Sequence, residues 1–271
     1  MNRSACALLS IAWALGSQVA HAAGAETIAL IGTGDMGDSL GPRLAAIGYR
    51  VVYGTRNPDS ERVRELVATT GNGATATTQE QAARSAGIVF LLVPWPAMES
   101  VAQELGNLAG KIVVDISMPF EQGPDGYPQS RLRTSSAELI QGWNPRARVV
   151  KAFAAQGSYI IDQPLAAGGP VTVPIASDDR DAKEKVSEIA GALGLDPVDF
   201  GPLRMARQIE ALQMIYMIPF VQERKVFWEF HFRRSNYWAC HPTGESLVPV
   251  YDAGNLAVMR GSLEKPVPCA P

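Results

Sequence analysis

The stretch Thr27-Ile-Ala-Leu-Ile-Gly-Thr-Gly-Asp-Met-Gly-Asp-Ser-Leu40 constrains the fold of this chain more than any other. Thr27 to Ile31 reads as a short buried strand, and the residues after Gly37 open a helix. Between them Gly32, Gly34 and Gly37 spell G-x-G-x-x-G. In that setting each glycine has its own role. Gly32 makes the tight turn, Gly34 lets the backbone approach a pyrophosphate, and Gly37 lets the helix pack closely on the strand. The anion of a dinucleotide then rests on the free N–H groups and the positive dipole end of the helix. With 25 glycines in the chain the pattern alone is weak; its place between strand and helix gives it meaning.

The next segments narrow the choice of dinucleotide. The helix runs to Gly48, a natural C′ residue, and a second strand, Tyr49 to Gly54, ends at Thr55-Arg56-Asn57-Pro58. A site for NAD carries Asp or Glu at this tip to hold the ribose 2′-OH. Here the tip holds Thr55 and Arg56, with no carboxylate before Asp59. A guanidinium suits a 2′-phosphate, so the expected cofactor is NADP(H).

Composition adds two expectations. A net charge of -3 leaves no basic surplus to point to nucleic acid, and 46% hydrophobic content suits a well-filled globular core. At the N-terminus, Arg3, the apolar run Cys6 to Gly16 and Ala20-His-Ala22 form the three parts of a secretory signal peptide. Residues 1–22 are therefore expected to be removed and the mature chain exported to the periplasm. Cys6 leaves with the signal, so Cys240 and Cys269 would remain as a pair in an oxidising compartment and are expected to form a disulfide. Neither a metal site nor a transmembrane domain is expected from the sequence.

Further strands and helices alternate along the chain. Helices are expected over Ser60–Val67, over Thr78–Ser85 with Thr78 as N-cap, and over Met98–Leu108. Ile88–Val93 and Lys111–Ile116 are continuous apolar runs of the kind that form strands buried on both faces. A Gly/Pro-rich loop spans Met118–Pro128, Ser135-x-x-Glu138 reads as a capping box, and Arg148–Phe153 is another strand. Thr172–Ala176, a helix over Asp181–Leu193 and Pro197–Phe200 extend the sheet. Pro202 then starts a helix to about Ile218, with Ile209, Leu212, Ile215 and Tyr216 along one apolar face. The fold class is therefore α/β, a Rossmann-type doubly wound, mostly parallel sheet. Residues 23–203 form the nucleotide-binding domain, and residues 204–271 a C-terminal helix, aromatic strand and irregular tail packed on it. Ligands of such folds bind at the carboxyl ends of the strands.

The series Gly32-Thr-Gly-Asp-Met-Gly37, Gly54-Thr-Arg-Asn-Pro58, Val114-Asp-Ile-Ser117, Val150-Lys-Ala-Phe153, Val173-Pro-Ile-Ala-Ser-Asp178 and Phe200-Gly-Pro-Leu203 resembles the deazaflavin-dependent NADP oxidoreductases. It is also similar to the oxidoreductase domain of the STEAP metalloreductases. The resemblance covers roughly Thr27 to Phe220. It implies NADP held by Thr33, Gly34, Asp35, Met36, Thr55, Arg56, Asn57, Val93 and Pro94, with the nicotinamide near Ser117 and the Lys151–Ala154 turn. It further implies a hydride passed to a deazaflavin, a flavin or another small electron acceptor. Relatives often carry Asn where this chain has Ala154, and the tail from Val221 has no counterpart among them.

Hydride transfer between stacked rings needs near-attack geometry rather than an acid–base pair. His231 and His241 are the candidates for proton handling. In the tail, Val226, Trp228, Phe230 and Phe232 alternate with Phe227, Glu229, His231 and Arg233, which predicts a strand with one apolar face. The segment would serve as core packing or an antiparallel edge strand, or its face as a homodimer contact or an aromatic wall over the acceptor ring. Two functions remain open at this stage: an NADP(H)-dependent oxidoreductase, and a non-catalytic NADP-binding module.

Overall fold

The computed structural model describes residues 25–130, 132–224 and 227–233. The first unit is β1 (Thr27–Ile31), α1 (Asp35–Ala46) and β2 (Arg50–Gly54), followed by α2 (Glu61–Thr70), β3 (Thr75–Thr77) and α3 (Gln79–Ser85). Next come β4 (Ile88–Leu91), α4 (Trp95–Glu104) and β5 (Ile112–Asp115). A small antiparallel hairpin, β6 (Glu121–Gln122) and β7 (Pro128–Gln129), precedes α5 (Ser136–Trp143) and β8 (Arg148–Lys151). The chain continues through α6 (Ser158–Asp162), β9 (Thr172–Ala176), α7 (Arg180–Ala192), β10 (Asp196–Gly201) and α8 (Ala206–Glu223).

Eight strands form one sheet in the order β10-β9-β8-β5-β4-β1-β2-β3. Every pair from β3 through β8 is parallel; β9 meets β8 antiparallel through Lys151 and Ala176, and β10 runs parallel to β9. The strands of the middle are apolar throughout because both faces are covered. Ile28 and Leu30 pack with Leu40 and Leu44 of α1 on one side, while Ala29 and Ile31 pack with Ala82, Ala83 and Met98 on the other.

Local signals explain most helix starts. Thr78 accepts the amide of Gln81, and Ser135 with Glu138 forms a reciprocal capping box on α5. The start of α4 differs from the expected Met98: the helix opens at Trp95, with Pro94 as N-cap and Pro96 in the first turn. A proline there loses no bond, since the first N–H groups of a helix have no intrahelical acceptor.

Two expectations need correction. The buried face of α8 is Ala206, Ile209, Glu210, Gln213, Tyr216 and Pro219, whereas Ile215 points to solvent at 39% exposure. The helix buries two polar side chains because partners wait for them under the sheet. Residues 227–233 form no regular strand. They run along the start of β9, where Thr172 N–H donates to Phe230 O and Phe232 N–H to Thr172 Oγ1. The anchored ring is Phe227, stacked on Tyr216 and Phe220 at 4.8 and 5.2 Å, while Trp228 stays 49% exposed. The expected signal peptide, Cys240, Cys269 and His241 lie outside the described residues, as do Val226 and the rest of the tail. Among the described residues, no helix is long and apolar enough to cross a membrane.

Candidate functional site

The glycine turn follows β1 as the motif requires. Gly32 sits at φ 128°, in the left-handed region open to glycine, and its N–H bonds Gly54 O at 3.0 Å, tying the tips of β1 and β2 together. A Cβ on Gly37 would lie 2.7 Å from Gly32 O, so the third glycine permits the close approach of α1. Gly34 is different. A Cβ there would meet nothing within 4 Å, at an ordinary backbone conformation, so neither protein packing nor φ demands glycine. The space in front of Gly34 is open, as a site for an approaching phosphate group must be.

That space is the floor of a cleft of about 450 Å³ at the carboxyl ends of β1, β4 and β5. Gly34, Asp35 and Met36 form one wall, Val93, Pro94 and Trp95 another, and Ser117, Met118 and Phe120 the far end. Of the residues expected at the cofactor, Gly34, Asp35, Met36, Val93, Pro94 and Ser117 therefore line one cavity. Thr33 lies in the turn, where its carbonyl accepts from Arg62, and Arg62 also pairs with Asp38 at 2.7 Å. Thr55, Arg56 and Asn57 follow the tip of β2; Thr55 N–H bonds Thr77 O at 3.0 Å, and Asn57 N–H bonds Thr55 Oγ1 at 3.4 Å. The Arg56 side chain is exposed and makes no bond among the described residues. A larger hollow of about 610 Å³ beside Pro170, Leu195–Asp199 and Phe232 lies at the β10 edge, far across the sheet from the glycine turn.

Beneath the far end of the cleft lies a polar network that sequence reading missed. Lys151, fully buried, donates to Ser117 O at 2.7 Å, Asp115 Oδ2 at 3.0 Å and Ser136 Oγ at 3.0 Å, and stands 3.4 Å from Glu210 Oε1. Glu210 accepts Ser136 N–H at 2.8 Å and Ser136 Oγ–H at 2.6 Å. Two carboxylates thus share one ammonium in a space closed to water, and burial pushes the Glu210 carboxyl above its ordinary range while Lys151 opposes the rise. A lysine inside the apolar run Arg148–Phe153 was the signal, since a buried ammonium requires a buried carboxylate.

The network fixes the backbone of Ser117. Its N–H bonds Asp115 Oδ1 at 2.8 Å, and its carbonyl takes Lys151 and, at 3.2 Å, Gln213 Nε2. Gln213 also donates to Ala154 O at 2.6 Å, so α8 straps the tips of β5 and β8 together. Ala154 is buried and stands outside the cleft lining, and its contribution to the site is this carbonyl. Ser117 Oγ is buried and has no partner among the described residues, at the end of the cleft where the nicotinamide is expected. An unpaired buried hydroxyl costs about 1–3 kcal/mol unless a ligand completes it. His231, by contrast, is exposed on the tail segment, with Nδ1 3.1 Å from Pro170 O, and does not reach the cleft.

Comparison with known proteins agrees with this geometry. Residues 27–119 match the family model described as NADP oxidoreductase coenzyme F420-dependent. The F420-dependent NADP reductase of Methanothermobacter marburgensis is 30% identical over 200 residues, covering 67% of this chain and 86% of that protein. The chain belongs to the F420-dependent NADP oxidoreductase family. Within this family setting it is also 35% identical over 190 residues to rat metalloreductase STEAP3, covering 70% of this chain and 37% of that protein. The chain thus spans little more than a third of the metalloreductase relative. A solved structure from Arthrobacter sp. FB24, provisionally assigned as an F420-dependent NADP-reductase, superposes with a TM-score of 0.69 at 27% identity. It covers 76% of this chain and 99% of that one. The Rossmann-type sheet is therefore the fold, and the family to which the chain belongs is one of NADP-dependent oxidoreductases.

Proposed function

We propose that this chain transfers hydride between NADP(H) and a deazaflavin, a flavin or another small electron acceptor, at the carboxyl edge of the sheet. The observation that carries the reading is Gly34, a glycine that faces open space in the wall of a cleft ending in the Ser117 hydroxyl, unpartnered among the described residues. When bound, NADPH supplies a hydride, two electrons with one hydrogen, and solvent supplies the proton that completes reduction of the acceptor.

The residues present fit such a cofactor. The N–H groups at the start of α1 hold the pyrophosphate with the helix dipole behind them. Arg56, exposed and unpaired among the described residues, binds the 2′-phosphate together with Thr55 and Asn57. Val93, Pro94 and Trp95 exclude water from one side of the cleft. Ser117 donates its hydroxyl to the nicotinamide end, and Lys151, Asp115 and Gln213 keep that residue in place. These groups orient and do not exchange protons, as a hydride step between stacked rings requires.

The export expected from Met1–Ala22 belongs to the same proposal, and fractionation of cells with mass measurement of the recovered chain tests it. Activity is tested with purified protein by offering deazaflavin, riboflavin phosphate and ferric chelates in turn while NADPH oxidation is followed. Turnover with at least one supports the oxidoreductase. Tight NADPH binding without turnover on any of them leaves the non-catalytic binding module.

A further inference from the structure

Glu229, on the segment 227–233, is a carboxyl with one oxygen satisfied and one stranded. Oε1 accepts the Tyr159 hydroxyl of α6, whereas Oε2 is buried and has no partner among the described residues. Tyr159 in turn bonds the Tyr216 hydroxyl of α8. Both phenols close over one backbone position: a Cβ on Gly157 would lie 2.5 Å from Tyr159 Cε1 and 2.6 Å from Tyr216 Oη. Their base is fixed, since Asp162 of α6 accepts the Ser39 hydroxyl of α1 at 3.0 Å.

The segment that brings Glu229 to this place is held at few points. Phe227 stacks on Tyr216 and Phe220, at 4.8 and 5.2 Å between ring centroids. Phe230 O accepts Thr172 N–H at 2.8 Å, and Phe232 N–H donates to Thr172 Oγ1 at 2.9 Å. Arg233 pairs with Asp196 at 2.9 Å, but both are solvent-exposed enough that the pair contributes little. A segment with so few bonds and no ladder belongs to the part of a fold that opens locally. One buried charge then decides whether it stays closed, because a stranded carboxylate oxygen is far costlier to bury than a neutral carboxyl.

The titratable groups around Glu229 are Tyr159 from α6, Tyr216 from α8 behind it, and His231 from its own segment. Among the described residues no lysine or arginine is paired with it. Burial pushes the Glu229 carboxyl above its ordinary range, and the Tyr159 hydroxyl and then His231 oppose the rise. Tyr159 is itself pushed up to about 12, first by burial and then by Glu229, so the phenol keeps its proton while the carboxyl titrates.

We propose that residues 227–233 are a pH-operated clasp: neutral Glu229, bonded to Tyr159, holds the segment across the start of β9, and ionisation of Glu229 releases it. Release uncovers Tyr216, one turn past Gln213, and so frees the part of α8 that ties the tips of β5 and β8 together. The sign follows from linkage. The closed segment binds the proton more tightly than the open one, in which Glu229 titrates near 4.5. Closure is therefore strongest below 4.5 and weakens as pH rises from there to the raised value, the opening constant growing about tenfold per pH unit before it levels.

Hydrogen exchange of the full protein, read amide by amide by NMR from about pH 4 to about pH 9, tests the clasp without any ligand. The reporters are Thr172 N–H and Phe232 N–H, and Leu92 N–H, bonded to Ile31 O inside the sheet, is the control. Protection of the two reporters is expected to fall as pH rises while that of Leu92 holds. Glu229→Gln, which keeps the shape and cannot ionise, is expected to make their protection independent of pH, and His231→Gln to leave the dependence in place. Tyr159→Phe is expected to lower protection already in acid. Reporter protection that does not change with pH in the wild type would overturn the proposal. So would a dependence that survives in Glu229→Gln, one that disappears in His231→Gln, or a loss shared equally by Leu92.

Discussion

Lys151→Met removes the ammonium from the network beneath Ser117. Two carboxyl groups, Asp115 and Glu210, then face the same Ser136 hydroxyl in a space where Lys151 and Asp115 are fully buried and Glu210 is 5% exposed. Breaking a buried pair from one side costs about 3–5 kcal/mol, because the remaining charge has neither water nor partner. At roughly 2–4 °C per kcal/mol for a protein of this size, the melting temperature should fall by roughly 6–20 °C. The loss should also depend on pH in one direction. Burial already raises the Glu210 carboxyl above the ordinary 4.5, so the native protein binds this proton more tightly than the unfolded chain and its charged form destabilises the fold as pH rises. Without Lys151 that value rises further and the window widens upward. The deficit is therefore full at neutral and alkaline pH and shrinks as pH falls toward 4.5. Urea unfolding of both proteins across that range measures it. A deficit below about 1 kcal/mol, or one that grows in acid, would refute the reasoning.

Other consequences follow from single residues. Arg56→Ala should weaken NADP(H) by about tenfold to a hundredfold and leave NAD(H) nearly unchanged, by calorimetry with each cofactor; equal losses would mean that Arg56 only supports its loop. Glu138, held down at about 2 chiefly by Arg207, should stabilise the fold at neutral pH; Glu138→Gln is expected to cost about 1 kcal/mol, a difference that fades as pH falls from 4.5 to about 2. Gly41→Ala places a methyl group against the Tyr53 hydroxyl, which bonds Thr70 Oγ1 at 2.6 Å, and should cost about 1–3 kcal/mol in denaturant unfolding. Burial raises that phenol to about 12, and the substitution should lower its spectrophotometric titration midpoint as packing around it loosens.

Much of the fold was legible because its signals are local. The continuous apolar runs of β4 and β5 announced strands covered on both faces, and Thr78 and Ser135 announced their helices through caps that involve neighbours only a few residues away. The glycine turn was legible for the same reason. What stayed hidden depends on partners distant in sequence. Glu210 and Gln213 look like solvent positions on a helix read by its apolar residues, and Lys151, Ser136, Ser117 and Ala154 explain their burial. The tail aromatics alternate like a strand, yet Phe227 is fixed by ring stacking on α8 rather than by a ladder. The hairpin β6–β7 and α6 are too short to leave a period in the sequence.

Gly34 offers the most direct test of the central claim, that the turn after β1 holds the phosphates of NADP(H). A side chain at this position meets open space, so Gly34→Val should change the melting temperature little. Calorimetric titration of NADPH into wild type and Gly34→Val decides the matter. Saturable binding by the wild type and a loss of about tenfold or more in a variant of unchanged stability is the expected result. Equal affinity in the two proteins would contradict the placement of the cofactor at this turn.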